Sequence, residues 1–231
     1  NLAVEEKVDA VVIAGDVYDR AVPPAEAVAL LNDILEQLII ENKIQVIMIS
    51  GNHDSADRLG FGAKLLTSRG LHVYGPIASA SQPLVLQDNF GPIYFCPFPY
   101  AEPSQIRLHL GDDELRTHAT ALKALTSLTR ENLPKKARSV AIGHCWVNGS
   151  KESDSERPLT VGGAGEVNKS IFSGFNYSAL GHLHRPQHLG SQVYYAGSLL
   201  KYSFSEISHN KSVNIVELDE SGNVNVELVE L

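Results

Sequence analysis

Four apolar segments of this sequence each end at a glycine that is followed by side chains able to bind a metal ion. The four sites are Gly15-Asp16, Gly51-Asn52-His53, Gly143-His144 and Gly181-His182-Leu183-His184. Imidazole, carboxylate and amide groups together suit Mn, Fe or Zn, whereas Mg prefers ligands that are all oxygen. The residue types therefore predict a centre for divalent metal ions.

The chemistry that such a centre supports is hydrolysis of a phosphate ester. Two ions about 3.5–4 Å apart can bridge a phosphate diester, generate a hydroxide nucleophile and stabilise the developing charge. Asp16 is the carboxylate placed to bridge the two ions. His53, next to the ligand Asn52, is free to donate a proton to the leaving oxygen or to stabilise the transition state.

The elements that must position these residues are short, buried strands. Residues 9–14 and 44–49 are β-branched apolar runs separated by a helical pattern over 25–41, which predicts a βαβ unit. Two further apolar strands are expected at 139–142 and 176–180. Ligands of open α/β sheets bind outside the carboxyl ends of the strands, so the four strand ends should converge on one edge.

The remaining segments predict a mixed fold. Residues 71–100 alternate short strand patterns with Gly, Pro and Asn, which indicates antiparallel hairpins. A helix is expected over 112–130 with Asp112 or Asp113 as its cap. Residues 148–166 are polar and rich in Gly and Ser, which predicts a long loop, and the C-terminal tail reads as strands around turns.

Composition excludes several classes of protein. The formal net charge of −8 argues against binding nucleic acid by bulk basic charge, although two bound cations would reverse the field locally. No apolar run approaches the roughly 20 residues of a membrane span, so we expect no membrane partner and a cytoplasmic protein. Cys96 and Cys145 are too few for a disulfide framework.

Each strand end by itself also fits an ordinary turn or helix cap. Chance is a poor explanation for four independent strand ends that carry Asp, Asn, His and His-x-His. The histidines that lack this position are expected to be surface or packing residues: His72, His109, His118, His188 and His209.

The four motifs, in this order and spacing, resemble the calcineurin-like metallophosphoesterase superfamily. They read GDVYD (15–19), GNHD (51–54), GH (143–144) and GHLH (181–184). Four longer stretches resemble the SbcD family of bacterial nuclease subunits, namely residues 50–62, 152–167, 174–187 and 201–206. The resemblance implies a single α/β domain over residues 1–231, a sandwich of two mixed β-sheets flanked by helices.

The resemblance also implies a role for each site residue. Asp16 would bridge both ions, and Asn52, His144 and His182 would complete the shell of one ion. His184 would serve the other ion.

Three more residues are implied to act around this ligand set. His53 would be the catalytic histidine. Asp19 and Asp54 would orient the metal ligands without binding the ions themselves.

The activity implied by the SbcD-like stretches is that of a DNA nuclease. Such a protein would use two divalent ions, Mn²⁺ above all, as a double-strand exonuclease and a single-strand or hairpin endonuclease. It would act on DNA ends in repair and recombination. The implied partners are DNA and an SbcC-type coiled-coil ATPase subunit, with a possible homodimer.

Two departures from the family pattern keep alternatives open. No Asp-x-His precedes Asp16, and Gly197-Ser198-Leu199 stands where the family has Gly-Ser-Pro. We therefore expect a nuclease core that lacks its first strand and its C-terminal cap and ATPase-binding region, with weak or no activity by itself. The alternatives are a phosphoprotein phosphatase or cyclic-nucleotide phosphodiesterase, or a non-catalytic scaffold with a degenerate site.

Overall fold

The computed structural model describes residues 2–80, 82–157, 159, 165–190 and 192–231. The helices are α1 (Leu2–Glu5), α2 (Ala25–Leu35), α3 (Ala56–Leu59), α4 (Ala63–Leu66), α5 (Pro103–Leu110) and α6 (His118–Asn132). The strands are β1 (Ala10–Ala14), β2 (Gln45–Ile49), β3 (Leu71–Tyr74), β4 (Leu84–Asp88), β5 (Gly91–Phe98), β6 (Arg138–His144), β7 (Trp146–Val147), β8 (Glu166–Val167), β9 (Tyr177–Gly181), β10 (Gln187–His188), β11 (Val193–Tyr195), β12 (Ser212–Leu218) and β13 (Val224–Glu230).

Two sheets form the centre of the molecule. The smaller sheet has the order β1-β2-β3 and is parallel throughout. The larger sheet has the order β10-β11-β9-β6-β5-β4, with a parallel centre and antiparallel pairs at its two ends. The strands β12 and β13 form a separate antiparallel hairpin.

The sheets pack face to face and are covered by helices on their outer faces. Ile47 and Ile49 of β2 share a buried cluster with Ile142 of β6. On the other side of the smaller sheet, Val46 and Met48 belong to a second cluster that includes residues of α2 and of the π-helical turns that continue it, Glu36–Glu41. A third cluster joins the larger sheet to α5 and α6. The predicted α/β sandwich flanked by helices is confirmed.

One predicted hairpin is wrong. Leu71 pairs in parallel with Val46, so β3 extends the βαβ unit instead of turning back on a neighbour. Its residues Leu71, His72 and Val73 are buried in succession, which is typical of a parallel strand that is covered on both faces. The hairpin of β4 and β5 is confirmed.

The helix expected over 112–130 begins later than predicted. It starts at His118, where the Thr117 side chain accepts from the backbone of Thr120. Asp112 instead accepts from Glu114 N in a preceding turn. No helix of the described residues is long and apolar enough to cross a membrane.

Candidate metal centre

The ligand-bearing loops meet where the two sheets touch. They follow β1 and β2 of the smaller sheet and β6 and β9 of the larger one, so the site lies between two sheet edges and not along one. A Cβ on Gly181 would lie 1.8 Å from Ala14 O, which shows how closely β9 approaches β1. His144 Nδ1 donates to the same carbonyl oxygen at 2.8 Å and ties the two sheets together.

Four of the predicted ligands converge at this junction. Asp16, His144 and His182 each offer a ligand atom, and these atoms lie within 4.8 Å of one another. Asn52 Oδ1 is 2.9 Å from His144 Nε2 and 3.2 Å from His182 Nδ1. Two imidazoles, a carboxylate and an amide oxygen directed at one point fit a divalent ion such as Mn²⁺. Their role as ligands stays a prediction.

The surroundings of the cluster favour an ionised Asp16 carboxylate and a neutral His182 imidazole. Burial acts to raise the pKa of Asp16, but the neighbouring His144 outweighs it and brings the pKa to about 2. Burial, together with His144, lowers the pKa of His182 to about 3. Burial also acts to lower the pKa of His144, but Asp16 dominates and the pKa is raised. The Asp16 carboxylate therefore favours the protonated form of His144.

The backbone at the site adopts conformations that are costly for residues with side chains. Asp16 has φ +48° and His182 has φ +98°. Strain of this kind persists where the surrounding structure enforces it, and it concentrates at functional sites. Gly51 has no room for a side chain, because a Cβ there would lie 2.2 Å from Asp16 N.

Asp54 links the loop that follows β1 to the loop that follows β2. Its carboxylate accepts backbone hydrogen bonds from Val17 N (3.1 Å), Tyr18 N (3.0 Å) and Gly51 N (2.8 Å). Burial raises the pKa of Asp54, while these three bonds oppose the rise. The role of Asp54 in orienting the metal ligands stays a prediction.

His53 lies at the edge of the cluster with one ring nitrogen directed at it. Its Nε2 is 3.9 Å from Asp16 Oδ2, and its backbone N donates to Asp16 Oδ1 at 3.0 Å. Its Nδ1 is 3.0 Å from the carbonyl oxygen of Asp19. Asp19 therefore contacts the His53 ring through its backbone carbonyl. The Asp19 carboxylate is 65% exposed and lies 3.7 Å from His53 Nδ1.

His184 lies outside the cluster that the described residues form. Its Nδ1 is 2.8 Å from Oε1 of Glu206, a buried residue that sequence reasoning did not select. Burial acts to raise the pKa of Glu206, but Lys211 and its other partners lower it to about 2. The turn at Gly197 forms despite Leu199, since Ser198 N donates to His184 O at 3.2 Å.

None of the histidines expected to be surface or packing residues belongs to the cluster that the described residues form, although His209 N donates to Glu206 O at 2.8 Å. His72 and His118 are buried, and His72 Nε2 is 2.9 Å from Gln45 Oε1. His118 stacks on Tyr100. Part of the family-like stretch 152–167 lies outside the described residues.

A two-sheet α/β sandwich with Asp, Asn and His side chains gathered at its strand ends defines the class of metal-dependent phosphoesterases. Residues 1–186 match the family model of the calcineurin-like phosphoesterases, and the chain belongs to this family. Over 228 residues it is 35% identical to the SbcD component of the SbcCD nuclease of Staphylococcus epidermidis, an alignment that covers 98% of this chain. The chain spans 60% of the length of that relative.

Proposed function

We propose that this chain is the phosphoesterase core of a DNA nuclease subunit that hydrolyses phosphodiester bonds with two divalent ions, Mn²⁺ above all. The observation that carries the proposal is the convergence of Asp16, Asn52, His144 and His182, with His53 beside them. The similarity to a component of a nuclease supports DNA as the substrate.

The proposal assigns metal binding to one set of residues and proton transfer to His53. Asp16, Asn52, His144 and His182 would hold one ion, and Asp16 and His184 would contribute to the other. Bound ions supply Lewis-acid chemistry, which activates water and stabilises charge on the phosphate. His144 Nδ1 donates to Ala14 O, so its Nε2 would be the nitrogen available to a metal ion.

His53 is proposed to deliver the proton that the leaving oxygen needs. Its Nδ1 lies against the Asp19 carbonyl oxygen, and its Nε2 faces the Asp16 side of the site. This arrangement keeps the ring directed at the cluster and leaves Nε2 available for proton transfer. A proton-donating side chain in this position contributes roughly 10²–10⁴-fold to the rate.

The proposal extends to the process, the location and the partners of the protein. The protein would act on DNA ends and hairpins in repair and recombination as an exonuclease and endonuclease, in the cytoplasm. It would assemble with an SbcC-type coiled-coil ATPase subunit and form a homodimer.

The test compares the intact Mn²⁺-loaded protein with its His53→Gln variant on end-labelled linear duplex DNA. The proposal expects cleavage by the parent and a loss of roughly 10²-fold or more in the variant, at unchanged metal content. Turnover of a small phosphodiester or phosphoprotein that DNA does not inhibit would instead support the phosphatase or phosphodiesterase alternative. Near-zero bound Mn²⁺ would support the scaffold.

A further inference from the structure

Glu206 is a fully buried carboxylate that the proposed reaction does not use. It ends the short 3₁₀ turn Phe204–Glu206, and its exposed fraction is 0%. Its Oε2 accepts from Lys211 Nζ at 2.6 Å. Its Oε1 accepts from the hydroxyl of Ser155 and lies 2.8 Å from His184 Nδ1. A buried charge is tolerated only with such partners, so the position of Glu206 is fixed by its contacts.

The contact between Glu206 and His184 determines which nitrogen of the ring carries the proton. An ionised carboxylate can only accept hydrogen bonds, so His184 Nδ1 must be the donor. A neutral imidazole has one N–H, which leaves Nε2 with a free lone pair. A lone pair is what a metal ion requires of an imidazole ligand.

The remaining polar groups of His184 are held as well. Its backbone N donates to Glu156 Oε1 at 2.7 Å, and its carbonyl oxygen accepts from Lys211 Nζ at 2.8 Å. Lys211 Nζ also donates to Ser198 Oγ at 2.7 Å. The ring and the backbone of His184 are therefore anchored by side chains from three separate segments of the chain.

We propose that Glu206 is a positioning residue that fixes His184 as the Nδ1–H tautomer, so that Nε2 is the nitrogen offered to a divalent ion. The inference rests on the proposed function for the assignment of His184 as a ligand. The segment 201–206, singled out by its resemblance, thereby acquires a physical role.

The direct test is ¹⁵N NMR of the intact, metal-free protein labelled at histidine, recorded at about pH 8.5, above the usual titration range of imidazole. The parent is expected to show His184 with Nδ1 protonated and Nε2 unprotonated. In a Glu206→Met, Lys211→Met double variant, which removes both buried charges together, we expect a mixture of tautomers. Glu206→Gln keeps an acceptor oxygen and should restore the parent's tautomer in part.

The matched control is Asp88→Asn. It breaks another carboxylate pair, because Asp88 accepts from Arg138 at 2.6 and 2.8 Å, but it touches no residue of the metal centre. The control should leave the His184 signals unchanged. By calorimetry, the double variant should bind Mn²⁺ at the His184 site roughly 10–100-fold more weakly, whereas the control should bind as the parent does.

Two results would overturn the inference. One is a parent protein whose His184 carries its proton on Nε2. The other is a folded double variant that keeps a single Nδ1–H tautomer and the parent's Mn²⁺ affinity. Because the tautomer is read without metal or DNA, a failure to cleave DNA would refute the proposed nuclease activity and leave this measurement intact.

Discussion

Replacement of Asp54 by Asn tests whether its carboxylate joins the two loops that carry Asp16 and Asn52. The Asn side chain has one acceptor oxygen, and placed at Oδ2 it keeps the bonds from Val17 N and Gly51 N. Its NH₂ group then faces Tyr18 N, so two donors oppose each other where a 3.0 Å hydrogen bond existed.

The expected loss of stability follows from the number of hydrogen bonds that the variant loses. Loss of one hydrogen bond to a charged acceptor costs roughly 1.5–3 kcal/mol, and the two retained bonds become about half as strong. Burial raises the pKa of Asp54, which means that removing its charge recovers part of this loss. We expect the free energy of unfolding to fall by about 2 kcal/mol at an unchanged denaturant slope.

The assay is urea unfolding of the intact protein, followed by Mn²⁺ titration. Asp19→Asn is the matched control, because it makes the same change of charge in the adjoining loop that follows β1, at a side chain that is 65% exposed. It should alter stability by less than about 0.5 kcal/mol. Equal effects of the two variants, or full stability and Mn²⁺ affinity in Asp54→Asn, would show that the Asp54 carboxylate does not join the loops.

Three further predictions concern the site. His53→Gln should cut the cleavage rate by roughly 10²–10⁴-fold while metal content, measured by mass spectrometry, stays that of the parent; a parallel loss of metal would make His53 a ligand. Gly181→Ala places a Cβ 1.8 Å from Ala14 O and should cost at least about 3 kcal/mol in urea unfolding. Gly143→Ala should cost less, because its Cβ would come no closer than 3.1 Å to a neighbour, the Leu180 side chain; equal costs would contradict the close approach of the sheets. Mn²⁺ affinity should fall as pH is lowered, because the raised pKa of His144 favours a proton that competes with the ion; calorimetry that shows no proton release on binding would contradict this.

The strand ends were predictable from the sequence because buried parallel strands leave a clear signal. Apolar runs that stop at a glycine located Asp16, His144 and His182 without any structural information. Their arrangement across two sheets was not predictable, because nothing local to β1 or β9 indicates which sheet it joins. Pairing partners are set by contacts that are distant in the chain.

Other features were missed because their signals are weak or are only visible in three dimensions. The parallel pairing of β3 could not be told from a hairpin, since a strand of four residues has no distinctive period. Helix α5 had a usable signal in Pro103 at its first turn and the Glu102–Gln105 capping box. Glu206 lies in the stretch 201–206 that resembles the family, but nothing local to it indicates its partner, because His184 is 22 residues away in the sequence.

Everything proposed for this chain depends on whether its strand ends form a metal centre that cuts DNA. The most direct measurement is cleavage of linear duplex DNA by the intact, Mn²⁺-loaded protein, with bound Mn²⁺ counted in the same sample. We expect two Mn²⁺ ions per molecule of the intact protein and cleavage that is lost with His53→Gln. A folded protein that binds two Mn²⁺ ions and leaves the DNA intact would contradict the proposed function.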